Sequence, residues 1–134
     1  MSKALLVGTP NSGKTALFNR LTGLNQRVAN YPGITVDISV GRMKGVEDWD
    51  LVDFPGTYSL RSISDEERVA VAHFETSLAD TEVGHVMCVV DATRLEKSLF
   101  FCLQVIRECR RHNRPMTFVA NMGDILKKHR LSID

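Results

Sequence analysis

Gly8-Thr9-Pro10-Asn11-Ser12-Gly13-Lys14-Thr15 decides the fold of this chain. The stretch fits G-x-x-x-x-G-K-[ST], a loop whose glycines let successive backbone N–H groups turn inward toward phosphate oxygens. The pattern needs a strand before it and a helix after it. An apolar strand is expected over residues 3–7, and a helix over residues 14–22 with Gly23 past its end. That helix adds the positive end of its dipole to the loop. Lys14 has the reach for β- and γ-phosphates, and the Thr15 hydroxyl suits Mg²⁺. A glycine turn beside a solvated lysine is the bland alternative, and the strand–loop–helix context disfavours it.

Working outward, residues 24–33 hold Asn25, Asn30, Pro32 and Gly33 without a clear period and read as a mobile loop. Residues 35–43 alternate Val36, Ile38 and Val40 with Asp37, Ser39 and Gly41, the pattern of a half-exposed strand. After a turn at 44–48, residues 49–54 return as its hairpin partner. Residues 55–63 form another loop. Ser64-Asp65-Glu66-Glu67 is a capping box that starts a helix running to about residue 78. Residues 85–90 make an apolar strand. Residues 95–111 make an amphipathic helix, with Leu99, Cys102, Leu103 and Ile106 expected on its buried face. Pro115 stops it, and residues 116–120 form the next strand. Strands alternating with helices define an α/β domain with a mostly parallel sheet, one antiparallel edge hairpin and helices on both faces. Ligands of such sheets bind at the carboxyl ends of the strands.

The 134 residues suit one domain. A formal net charge of +1 gives no general attraction to nucleic acid or anionic membranes. No run approaches a membrane-spanning length, and no signal peptide is expected. Cys88, Cys102 and Cys109 form an odd set without C-x-x-C spacing, as expected of reduced thiols in the cytoplasm.

Three further motifs follow strands. Asp53-Phe54-Pro55-Gly56 can hold the Mg²⁺ shell through Asp53 and water, and meet a γ-phosphate through the Gly56 N–H. Asn30-Tyr31-Pro32-Gly33-Ile34-Thr35 presents Thr35 to close over Mg²⁺ and the γ-phosphate. In Asn121-Met122-Gly123-Asp124, the Asp124 carboxylate can accept from guanine's N1–H and N2–H₂, donors that adenine lacks. Asn121 would tie that loop to the base and the phosphate loop.

In this order and spacing, the four elements resemble the signature of Ras-like P-loop GTPases. Gly8 to Asn19 with Leu21-Thr22-Gly23, Asn30 to Val36, Asp53 to Leu60 and the Met122 variant of the base motif resemble the cytoplasmic G domain of the ferrous iron transport protein B family. The resemblance covers essentially the whole chain. It implies GTP or GDP as ligand, Mg²⁺ as cofactor and slow, K⁺-stimulated GTP hydrolysis regulating ferrous iron transport. Thr57 stands where Ras places a water-orienting Gln, and Asn11 matches the residue that helps hold K⁺.

The resemblance carries nucleotide contacts onto Gly8, Asn11, Ser12, Gly13, Lys14, Thr15, Ala16, Gly33, Ile34, Thr35, Asp53, Pro55, Gly56, Asn121, Met122 and Asp124. Within that set, Asn11, Lys14, Thr35 and Gly56 would act in catalysis, Thr15, Thr35 and Asp53 at Mg²⁺, and Asn11 at K⁺. The expected partner is a membrane transport domain of the same polypeptide, at the cytoplasmic face of the membrane. Nucleic acid is not expected, and homo-oligomerisation is left open. Residues 1–134 read as one G domain lacking its last strand, last helix and fifth motif. Two alternatives stay open: a GDP- or GTP-binding module without turnover, and an RNA- or ribosome-associated GTPase. The cysteines of the 95–111 helix are expected to pack on the sheet rather than bind iron.

Overall fold

The computed structural model of this chain describes residues 2–9, 12–23, 26–29, 38–54, 56, 65–91, 93 and 95–121. In chain order the described elements are β1 (Ser2–Gly8), α1 (Lys14–Thr22), β2 (Gln26–Ala29), β3 (Ile38–Arg42), β4 (Trp49–Asp53), α2 (Asp65–Leu78), β5 (Val83–Asp91), α3 (Leu95–Arg111) and β6 (Met116–Asn121). One sheet carries the strands in the order β2-β3-β4-β1-β5-β6. β1 lies between β4 and β5 and runs parallel to both, and β6 runs parallel to β5.

The expected α/β sheet and its antiparallel hairpin are present, with β3 against β4. The antiparallel edge is one strand wider than the sequence suggests. Gln26–Ala29, placed within a loop by its lack of period, pairs with β3 from Gln26↔Gly41 to Ala29↔Ile38. Main-chain bonds to a distant partner make this short edge strand, and local patterning carries no trace of them.

β1 shows why the sheet is covered on both faces. Successive side chains of a strand point to opposite sides. Leu5 and Val7 enter a core with Phe74 and Leu78 of α2 and Phe101, Cys102, Val105 and Cys109 of α3. Ala4 and Leu6 enter a second core with Phe18 of α1, Leu51 and Val89. Each fully buried Leu or Phe contributes about 1.5–3 kcal/mol. Phe54 and Phe74 meet edge to face, with centroids 5.8 Å apart.

The buried face of α3 meets expectation at Cys102 and departs from it at two leucines. Ser98, Phe101, Cys102, Val105 and Cys109 are buried, whereas Leu99 is 50% exposed and Leu103 65%. Both stripes have helical spacing. The one containing Phe101 turns to the sheet, and Leu99 and Leu103 lie roughly 100° or more around the helix. Helix and strand ends carry the expected turn chemistry. Gly23 closes α1 at φ 63, donating its N–H to the Asn19 carbonyl. Met43 N–H bonds the Trp49 carbonyl at 2.9 Å across the hairpin turn.

Candidate functional site

The parallel strands deliver four chain ends to one side of the sheet. β1 stops at Gly8, β4 at Asp53, β5 at Asp91 and β6 at Asn121. Gly8 runs so close to β5 that a Cβ there would sit 2.9 Å from the Val89 carbonyl oxygen and 3.2 Å from Ser12 Oγ. A side chain has no room, which gives this glycine a steric reason. Gly13 adopts the left-handed conformation at φ 84 and ψ 13 as the N-cap of α1. It provides no side-chain cap, and no acidic residue occupies the first helical turn. The first N–H groups of α1 therefore keep their capacity for an outside acceptor, and the helix end keeps its positive potential.

Around that turn, Thr9 and Ser12 are buried, and Thr15 and Ala16 are exposed. The Thr9 hydroxyl is buried without a hydrogen-bond partner. Lys14, the first residue of α1, points back beneath the loop. Its Nζ donates to Asp53 Oδ1 and to the Phe54 carbonyl oxygen. Both members of the ion pair are sheltered, with side chains 9% and 14% exposed. Burial pushes the Asp53 carboxyl above its ordinary range, against the pull of Lys14. The Phe54 N–H bonds the Leu6 carbonyl at 3.0 Å, which continues the β1–β4 ladder past Asp53. Gly56, two residues on, is half-buried.

On the far side of β1, the ladder places Asp91 opposite Asn121, so the base motif begins in register with the end of β5. The end of β5 is pinned by groups that sequence reasoning missed. Ser98 Oγ, buried on α3, accepts from the Asp91 N–H at 3.1 Å and donates to the Asp91 carbonyl at 3.3 Å. Asp91 Oδ1 accepts from the Thr93 N–H at 2.9 Å and from its hydroxyl at 2.6 Å. Asp-x-Thr directly after an apolar strand is the available signal, because Asp side chains close such turns onto the backbone two residues on.

The structure thus brings Gly8, Ser12, Gly13, Lys14 and Asp53 together, with Thr15 and Ala16 on the exposed side of the same helix start. Asn121 ends the strand two places across the sheet. Asn11, Gly33, Ile34, Thr35, Pro55, Met122 and Asp124 lie outside the described residues, as does nearly all of the 55–63 loop. Cys102 and Cys109 pack on the sheet as expected. Among the described residues no cluster of His, Cys, Asp or Glu could hold a metal ion by itself.

A strand, a glycine loop and a helix at the centre of a sheet ordered β2-β3-β4-β1-β5-β6 define a Ras-like G domain of the P-loop class. The family model for ferrous iron transport protein B matches residues 2–134, and the chain belongs to that family. It is 39% identical over 139 residues to the Fe(2+) transporter FeoB of Legionella pneumophila strain Lens, covering all of this chain and 17% of the relative. It is 40% identical over 134 residues to the FeoB of Salmonella typhimurium, covering 96% of this chain and 16% of that one.

Solved structures agree. An S. thermophilus NFeoB mutant bound to GDP superposes with a TM-score of 0.85 at 40% identity, over 100% of this chain and 50% of that one. The cytosolic domain of L. pneumophila FeoB gives 0.82 at 39%, over 99% and 51%. S. thermophilus NFeoB bound to GDP, AlF4⁻ and K⁺ gives 0.79 at 40%, over 100% and 49%. The chain therefore spans about half of these solved chains and about one sixth of the curated relatives.

Proposed function

We propose that this domain is a guanine-nucleotide switch that hydrolyses GTP slowly, with Mg²⁺ as cofactor and K⁺ as activator. The observation that carries it is the buried Lys14–Asp53 pair beneath an uncapped helix start. Phosphate oxygens entering the loop offer Lys14 an alternative anion, and Asp53 is then available to a cation shell. Lys14 steadies the β- and γ-phosphates. Thr15, Thr35 and Asp53 are the oxygen donors for Mg²⁺, Asp53 through water, a set that fits a hard cation. When bound, Mg²⁺ offsets the charge that develops on the phosphates. Asn11 holds K⁺, and the Gly56 N–H meets the γ-phosphate.

Asp124 selects guanine, with Asn121 anchoring the loop beside Asp91. Backbone and side-chain contacts from Gly8, Ser12, Gly13, Ala16, Gly33, Ile34, Pro55 and Met122 complete the nucleotide envelope. The membrane context is part of this proposal: the relatives are named as Fe(2+) transporters, and this domain would regulate such a transport region from the cytoplasmic side. Among the described residues no helix is long and apolar enough to cross a membrane.

Titration calorimetry of GDP and ADP with Mg²⁺ tests the reading. GDP binding without ADP binding supports it, and Asp124→Asn should shift preference toward xanthosine nucleotides. An unchanged preference overturns the guanine assignment. A second reading, a binding module without useful turnover, is favoured by Thr57 at the position of the water-orienting Gln. Single-turnover phosphate release in K⁺ against Na⁺ separates the two, since faster release in K⁺ excludes the inert module.

A further inference from the structure

Two sulfurs that the nucleotide site leaves unused meet in the core. Cys88 lies on β5 and Cys102 on α3, with Sγ atoms 3.6 Å apart and both residues buried. Neither is in a disulfide, and Cys109 is likewise a buried free thiol. We propose that Cys88 and Cys102 form an oxidisable dithiol, which a peroxide converts into an intramolecular disulfide joining β5 to α3.

The chemistry divides between the two sulfurs. The Cys102 thiolate attacks one peroxide oxygen, the O–O bond breaks, and the departing hydroxide takes up the proton that Cys102 released. Cys102 is then a sulfenic acid. The Cys88 sulfur attacks it, the S–S bond forms, the S–O bond breaks, and the second hydroxide leaves as water with the Cys88 proton. Two thiols have lost two electrons and two protons, and one peroxide has become two waters. The order follows from the contact. The hydrogen bond between the two sulfurs lowers the Cys102 pKa against its burial. The same bond, with burial behind it, raises that of Cys88. Burial, then Glu108, pushes Cys109 up to about 11, which leaves it the bystander.

The geometry asks for little motion. A disulfide needs its sulfurs about 2.05 Å apart, so the present 3.6 Å separation closes by a short approach of one side chain to the other. The segment between the two cysteines contains Asp91 and Ser98, whose hydrogen bonds already hold the start of α3 against the end of β5. Loop closure is therefore largely met before the sulfurs react. Burial governs the rate: peroxide reaches the pair through local opening, and the product is then shielded from reductants.

The test uses the full chain, natively folded, with hydrogen peroxide as the probe. Remaining thiols are alkylated in denaturant and the peptides mapped by mass spectrometry. The expected result is loss of two of the three thiols, a link between the Cys88 and Cys102 peptides within one chain, and reversal by dithiothreitol. Cys109→Ser should keep the link, and Cys88→Ser and Cys102→Ser should each lose it. Three alkylatable thiols after prolonged exposure, oxidation to sulfinic acid without a link, or a link through Cys109 or between chains would each overturn the proposal. The wild-type map decides the matter even where a serine variant folds poorly.

Discussion

Lys3, near the start of β1, and Lys14, just beyond the loop that ends it, both face carboxylates. At the first end, Lys3 Nζ lies 3.4 Å from both Asp80 and Glu82, with side chains 34%, 37% and 53% exposed. At the other end, Lys14 and Asp53 are almost fully enclosed. Exposed pairs of this kind contribute about 0–1 kcal/mol, because water and salt screen them. The enclosed pair has given up hydration that its mutual attraction barely repays. A chain selected only for stability has little use for it. Burial, more than pairing, distinguishes the end of β1 at which the nucleotide site is proposed from its structural end.

Variants at the two ends sharpen that contrast. Gly8→Ala carries the largest expected effect. Its Cβ would meet the Val89 carbonyl, a backbone atom that cannot swing aside. We expect about 3 kcal/mol of destabilisation in denaturant titration and loss of GDP binding. Lys14→Met should lower GDP affinity on the order of 100-fold, about 2.7 kcal/mol, by calorimetry. Equal affinity would remove the lysine from the phosphate site and dissolve the contrast.

The next effect is a dependence on pH. The Asp53 carboxyl is held above its ordinary value by burial, against Lys14. Acidification therefore neutralises it earlier than a solvated carboxylate, and the Mg²⁺-dependent part of GDP affinity should fall as pH drops from 7 toward the carboxylate range. A raised carboxyl binds its proton more tightly folded than unfolded, so this titration favours the fold as pH falls and unfolding does not explain the loss. Asp53→Asn should show no Mg²⁺ increment at any pH.

At the structural end the effects shrink. Gly84→Ala puts a Cβ 2.8 Å from the outer edge of the Trp49 ring, which can shift. About 1 kcal/mol is expected in thermal unfolding, with GDP affinity unchanged. Lys3→Ala should cost less than about 1 kcal/mol. The Glu82 N–H, with Lys3, holds Asp80 below its ordinary 3.8 despite slight burial. What that carboxylate contributes is present above the ordinary value and fades as pH falls below it. A large nucleotide effect from either variant would break the distinction between the ends.

Most of this was legible because the decisive features are local. The strand ending at Gly8, the helix starting at Lys14, the hairpin and the strand at 116–120 each announce themselves within a few residues. β2 did not, because Gln26-Arg27-Val28-Ala29 is a strand only through its backbone bonds to β3. Helical spacing shows that α3 is amphipathic and places Cys102 correctly, but it turns Leu99 and Leu103 inward in place of Phe101 and Val105. Leu99 and Leu103 compete at the same period with Phe101 and Val105, and contact with the sheet decides between them. The Lys14–Asp53 pair joins residues from two motifs recognised separately. Their meeting became visible only when β1 and β4 were laid side by side, with Leu6 opposite Asp53. The pin from Ser98 to Asp91 likewise joins a helix to the strand before it, a contact that spacing alone does not specify.

The position of β1 has a consequence during synthesis. It is the earliest strand in the chain, yet both of its neighbours come later, β4 at Trp49–Asp53 and β5 at Val83–Asp91. A ribosome adds about 5–20 residues per second, so the phosphate loop emerges on the order of ten seconds before the strand that walls it in. Until β4 emerges within that interval, Leu5, Leu6 and Val7 have no strand beside them, and until β5 emerges they have one on a single side only. The strand made first is thus flanked on both sides only after β5 has docked, well over half-way along the chain.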